Sequence, residues 1–179
     1  DVVGWFDYRD FLPNSSARAT GNEADILWSR VPGSGDTTMA AAVGTLAHEF
    51  AHLFSYGVRV EASGEAARRE VLWLDEGIAH LMEDLTGWGD SNIPNVAVAL
   101  DDWEEGHFAT TTDSNEQRGQ AYLLLRYLVD QQASGASAAN ASSVESAATS
   151  IVSTLISEES LGFDHSLFTN TGASGLASW

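Results

Sequence analysis

Two histidines four residues apart, His48 and His52, sit inside an apolar stretch of about residues 37 to 56 that holds no proline. A helix puts residues at that spacing on one face, one turn apart. The stretch therefore reads as a helix, capped by Asp36 after the Pro32-Gly33-Ser34-Gly35 break and stopped by Gly57. Two imidazoles presented this way can grip one ion. Glu49 is turned by about 100° from His48, outside the direct ligand position but near enough to reach a water on such an ion, where a general base is needed.

Elsewhere the apolar pattern predicts strands first and helices afterwards. Residues 2 to 6 and 24 to 29 are short, apolar and bounded by turn formers, as in the strands of a small sheet. Leu74, Ile78, Leu81 and Leu85 repeat at helical spacing ahead of Gly87. Pro94 can start a third helix with Val96, Leu100 and Trp103 on one face before Gly106. Ser114 and Gln117 form a capping box for a fourth, striped by Ala121, Leu124, Leu125 and Leu128 and ending near Ser134 and Gly135. Residues 133 to 150 are rich in Ala and Ser, yet Val144, Ala148, Ile151 and Leu155 keep helical spacing, so a loop followed by a fifth helix is expected. From Gly162 onward, Gly, Ser, Thr and Asn predict loops with one short turn at most. The order implies an α+β fold, a small N-terminal β-sheet followed by a mainly helical half. The length fits one domain over residues 1–179, with the sheet and first helix in 1–57 and a helical lobe in 58–179.

Composition narrows the chemistry. Twenty-six acidic residues face eight basic ones, all arginine, for a net charge of −18. Such a field repels phosphate backbones and anionic headgroups, so neither a nucleic-acid nor a membrane partner is expected, and the charge reads as solubility. There is no cysteine, which removes disulfides, thiolate catalysis and cysteine-ligated zinc together. Any metal must take His, Asp or Glu. No apolar run approaches the roughly 20 residues of a membrane span, and the first residues lack the regions of a signal peptide, as in a mature or excised form.

A catalytic zinc site uses three protein ligands and keeps a fourth position for water. The third ligand is sought beyond His52. Position 58 is Val, so a third histidine six residues on is excluded. Glu76, 24 residues after His52 and early in the second helix, completes a His48, His52, Glu76 set, with Asp75 the adjacent alternative. Glu83, two turns after Glu76, and Asp84 are the candidates for orienting the imidazoles by accepting their other N–H.

With His48-Glu49-Phe50-Ala51-His52 and Trp73-Leu74-Asp75-Glu76-Gly77-Ile78-Ala79, the chain resembles the gluzincin clan of metallopeptidases, in which an HExxH helix is followed by a helix bearing a glutamate ligand. The second stretch looks like the glutamate helix of the M1 aminopeptidases. A nearer likeness, to the hyicolysin (M30) family of secreted bacterial metallopeptidases, runs through His48 to His52, Trp73 to Asp84 and Arg118 to Leu128, about the middle half of the chain. The resemblance implies a thermolysin-like catalytic core, bound Zn2+, a peptide or protein substrate and an extracellular location. Where M1 enzymes carry a transition-state tyrosine three residues before a glycine, this chain has Glu116 before Gly119. Tyr122 and His107 are the candidates by residue type for stabilising a developing negative charge.

The expected reaction is peptide-bond hydrolysis by a monomeric metalloendopeptidase, with a zinc-activated water and Glu49 as base and then acid. Two other readings stay open: a non-catalytic binding or surface domain stabilised by zinc, and a zinc hydrolase of a non-peptide amide. His80, Glu70 and Arg68 read as exposed, His107 and His165 as surface histidines, and the tryptophans as core or pocket walls.

Overall fold

A computed structural model describes residues 4–11, 21–33, 38–61, 69–101, 113–134 and 141–170. Two short strands, β1 (Gly4–Phe6) and β2 (Leu27–Ser29), pair antiparallel with Trp5 opposite Trp28. Helices follow: α1 (Met39–Tyr56), α2 (Leu72–Leu85), α3 (Ile93–Asp101), α4 (Asn115–Ser134), α5 (Ala141–Ser157) and the short α6 (Ser166–Asn170). The α+β order expected from the sequence is thus present, with a two-stranded sheet among the described residues. No helix among them is long and apolar enough to cross a membrane.

Helix α2 is the centre of the packing. It lies against both α1 and α4, and α4 in turn contacts α3 and α5. Leu74, Ile78 and Leu81 of α2 are essentially inaccessible, as are Ala121, Leu125 and Val129 of α4 and Ile151 and Leu155 of α5. Burying each of the Leu, Ile and Val side chains contributes roughly 1.5–3 kcal/mol, so this apolar block fixes how α2 sits beside α1. The predicted stripes of α2, α4 and α5 all face it.

Helix α3 turns differently from its predicted face. Leu100 is 61% exposed and Ala99 is fully buried, while Trp103 lies outside the described residues. The reason is the partner surface on α4. A Cβ added to Gly119 would meet the Asn95 carbonyl oxygen at 2.2 Å and Ala99 Cβ at 2.8 Å. The α3–α4 crossing is therefore a close backbone approach that only small residues permit, and it outweighs the larger apolar side chains of α3. On the neighbouring face of α4, Ala121 comes similarly close to Gly77 of α2, with 3.1 Å left for an added Cβ.

The helix ends follow local hydrogen bonding. Thr38, rather than Asp36, caps α1 by accepting from the Ala41 N–H at 3.0 Å; Asp36 lies outside the described residues. The α-helical run ends at Tyr56 with Gly57 at its C-cap, as expected, but Gly57 has a right-handed φ of −58° and a π turn continues over Gly57–Glu61. That extra turn carries Arg59 inward, where it donates to the carbonyls of Leu155, Glu158 and Ser160 at 2.8–2.9 Å and satisfies the end of α5. The capping box holds: Ser114 Oγ accepts from the Gln117 N–H at 3.2 Å, and the Gln117 side chain accepts from the Ser114 N–H at 3.3 Å.

Candidate metal centre

Because α1 and α2 pack side by side, the His48 and His52 rings of one meet the acidic face of the other. His48 Nε2 lies 3.1 Å from His52 Nε2 and 3.4 Å from Glu76 Oε2, and His52 Nε2 lies 3.7 Å from Glu76 Oε1. Three ligands on a tetrahedral zinc with bonds of ~2.0–2.1 Å stand about 3.3 Å apart, near the separation of the two rings from each other and of each ring from its own nearer oxygen of the Glu76 carboxylate.

The opposite ring nitrogens explain why these groups converge. His48 Nδ1 lies 2.7 Å from Glu83 Oε1, and His52 Nδ1 lies 3.0 Å from Asp75 Oδ2. A carboxylate only accepts, so each Nδ1 carries the hydrogen. Both Nε2 atoms of the neutral rings then present bare lone pairs to one another and to the Glu76 carboxylate. Such an arrangement is repulsive unless a proton or a metal ion sits in it. Carboxylates behind ligand imidazoles, fixing tautomer and orientation, are the usual support of a metal-bound histidine.

His80 adds a further ring to the group. One ligand atom each from His48, Glu76 and His80 lie within 4.8 Å of one another, all three residues are buried, and the set could hold a metal ion. The His80 ring is 4.6 Å from that of His48, its Nδ1 lies 2.8 Å from the same Glu83 oxygen, and its buried Nε2 has no hydrogen-bond partner. Glu76 Oε2 is likewise buried without a hydrogen bond. Two orphaned atoms with lone pairs at one spot, in a set of imidazole and carboxylate donors, fit a divalent cation such as zinc.

Electrostatics in the protein alone tell the same story with protons in place of an ion. Burial opposes the charged form of His48, but hydrogen bonds and charge from Glu76 and Glu83 prevail and raise it to about 9. His52 also rises, against burial, through the charge and hydrogen bond of Asp75. Glu76 and Glu83 fall to about 2 despite burial, chiefly through His48, whose Nε2 approaches Glu76 at 3.4 Å and whose Nδ1 bonds to Glu83.

A cleft of about 660 Å³ opens onto these residues. Glu49, next to His48 on α1, lines it and is only 8% exposed. Burial pushes its carboxyl above the ordinary range, against the pull of His48, His52 and the Phe6 N–H that bonds to it. Strand β1 lines it through Gly4, Trp5 and Phe6, and α4 contributes Arg118. Arg118 grips the Asp113 carboxylate with Nε and Nη2, and its Nη1 lies 3.3 Å from Glu76 Oε2.

The sequence candidates are thus brought together unequally. His48, His52, Glu76 and Glu49 meet at the cleft, and Asp75 stands behind His52. Of the two candidates for orienting the rings, Glu83 reaches His48, while Asp84 instead accepts from Tyr122 Oη at 3.1 Å and from Arg126 at 2.6 Å. Tyr122 is held in that cluster, packed against the core, and is not part of the cleft wall; burial, with Asp84 beside it, pushes its hydroxyl to about 12. His107 and Arg68 lie outside the described residues.

Three expectations of exposure are overturned. His80 is 5% exposed, His165 is 0%, and the Glu70 side chain is 1% accessible. His80 follows from its place on α2, the most enclosed helix. Glu70 and His165 are drawn in by each other, at 2.7 Å, and by the Val71 and Gly162 N–H groups that donate to Glu70 at 2.8 Å. Such partners, up to 95 positions apart, leave no periodic trace in sequence. The tryptophans divide: Trp73 is core, whereas Trp5 and Trp28 stack on each other at 5.6 Å and stay 47% and 39% exposed. Comparison with the known protein families, with curated proteins and with solved structures gives no match to this chain.

Proposed function

We propose that the chain is a zinc-dependent metallopeptidase of gluzincin type, with a thermolysin-like core, that cleaves internal peptide bonds and uses His48, His52 and Glu76 as metal ligands. The observation that carries this reading is the convergence of two Nε2 lone pairs and one carboxylate at 3.1–3.7 Å, each ring backed by its own carboxylate. A zinc ion held there supplies, when bound, a Lewis acid that polarises a carbonyl and acidifies water.

The protein's own groups do the rest. Glu49 lies beside the cleft with a carboxyl made more basic by burial, suited to take a proton from water and return it to the departing amine. Glu83 and Asp75 hold the two rings so that Nε2 faces inward. The cleft accepts an extended peptide along β1, whose Trp5 and Phe6 form its wall. In a digest of casein or an unbiased peptide library, we expect cleavage that a chelator abolishes and zinc restores. Glu49→Gln should keep zinc and lose turnover; normal activity in that variant overturns the role of Glu49.

A second reading draws on His80. Its partnerless Nε2 beside His48 and Glu76 would suit a fourth protein ligand, and a closed shell of His48, His52, Glu76 and His80 would be a structural zinc site in a binding or surface domain. Glu49, beside the same cleft, would have no task in such a closed shell, and this favours the peptidase.

A further inference from the structure

The residue types that prompted Tyr122 and His107 as charge stabilisers leave that role open, since Tyr122 is tied to Asp84 away from the cleft. The cleft itself is lined by Arg118. Arg118 rises from the first turn of α4, and its fork onto Asp113 uses Nε and one hydrogen of Nη2. Nη1 makes no hydrogen bond among the described residues, although it stands 3.3 Å from Glu76 Oε2, and the guanidinium feels the charge of Glu49. Two N–H donors of a guanidinium fixed by Asp113 are therefore left beside the ligand carboxylate, in a cleft that Glu49 also lines.

The position is built rather than accidental. Asp113 fixes the guanidinium plane from one side. Gly119, the next residue, lets α4 press onto the α3 backbone, and Ala121 lets it press onto Gly77, the residue after Glu76. The same close contacts that seat α4 thus set the distance from Arg118 to Glu76. In a chain with 26 acidic residues, a cation held at this point with donors to spare is not explained by solubility.

We infer that Arg118 is the catalytic residue that binds the scissile carbonyl oxygen as it becomes negative, in place of the tyrosine that the M1-like pattern would supply. The inference rests on the peptidase reading. In the step concerned, a water oxygen bonds to the carbonyl carbon and the C=O π pair moves onto the oxygen, where the Nη1 hydrogens meet it. Glu49 holds the water's proton until the amide nitrogen takes it, the C–N bond breaks, and acid and amine leave. Donors aimed at the charge that develops lower the barrier more than they aid ground-state binding.

The test compares wild type, Arg118→Gln, Arg118→Lys and, as a control on the same helix outside the cleft, Arg126→Gln. All are loaded with zinc, checked for fold by circular dichroism, and assayed on the best-cleaved peptide from an unbiased library. Arg118→Gln should lose about 10²–10³-fold in kcat with little change in KM, and a phosphinic analogue of that peptide should lose affinity in step with kcat. Arg118→Lys should fall between, and Arg126→Gln should match wild type. Zinc affinity, measured by chelator competition, should fall by no more than about tenfold in Arg118→Gln. Wild-type kcat in Arg118→Gln, with Glu49→Gln inactive, overturns the inference and leaves the peptidase reading intact. A fall in zinc affinity as large as the fall in kcat overturns it too, because Arg118 would then act only through Glu76. A zinc-loaded wild type that cleaves nothing sinks the peptidase reading and this inference with it.

Discussion

Glu83→Gln separates the charge of a supporting carboxylate from its shape. Glu83 Oε1 receives His48 Nδ1–H at 2.7 Å and His80 Nδ1–H at 2.8 Å, Oε2 receives Ser91 Oγ–H, and the residue is 4% exposed. The amide oxygen of Gln can take the place of Oε1, and the Ser91 hydroxyl can rotate to accept from the new NH2. Both ring contacts then survive as neutral hydrogen bonds. A hydrogen bond to a charged group contributes about 1.5–3 kcal/mol and a neutral one about 0.5–1.5. Only the bond to His48 bears on a ligand of the triad, so the loss felt by the metal is about 1–2 kcal/mol, or roughly 5–30-fold in affinity. That overlaps the lower end of the about 10–100-fold range usual for a partner behind a metal ligand. Competition with a chromophoric chelator at neutral pH measures it, with far-ultraviolet circular dichroism as the check on folding. An affinity equal to wild type in a folded Gln variant would refute the reasoning, because it would mean that Glu83 does not hold a ligand ring.

Two further outcomes follow from the same geometry. Gly119→Ala places a methyl group 2.2 Å from the Asn95 carbonyl oxygen, so α3 and α4 must part, and thermal denaturation should show a loss of about 1–3 kcal/mol together with weakened turnover from a displaced Arg118. The metal-free protein should be most stable in mildly acid solution. His48, raised from 6.5 to about 9, stabilises fully below 6.5 and loses that contribution as pH rises through 9. Glu76 and Glu83, lowered from 4.5 to about 2, stabilise above 4.5 and lose theirs as pH falls through 2. Melting temperatures without metal should therefore peak between pH 4.5 and 6.5, with raised Glu49 favouring the acid side of that window. Zinc should flatten the alkaline limb by replacing the proton on His48, and a peak above pH 8 without metal would contradict the assignment.

What could be read in the sequence was whatever depends on a single helix. The i, i+4 pairing of His48 and His52, the stripe that turns α2 inward and the two-turn step from Glu76 to Glu83 are all periodic, and the structure keeps each. The roles fixed between helices were illegible. By spacing Asp75 is a rival ligand to Glu76, and nothing in the sequence says that its carboxylate meets the far nitrogen of His52. Arg118 lay within a stretch noticed for its resemblance, yet only the close α3–α4 and α2–α4 contacts bring its guanidinium to Glu76. Glu70 and His165 looked like solvated residues in an acidic chain until their partners nearly a hundred positions away enclosed them. The predicted face of α3 failed for a related reason: large apolar side chains marked one side, but backbone proximity at Gly119 chose another.

The most direct test is an anomalous difference map at the zinc edge from crystals grown with zinc. The account predicts one peak, about 2.0–2.2 Å from His48 Nε2, His52 Nε2 and a Glu76 oxygen, with a fourth position left to solvent. No peak there, or an ion bound by His80 within a closed shell of four side chains, would contradict it.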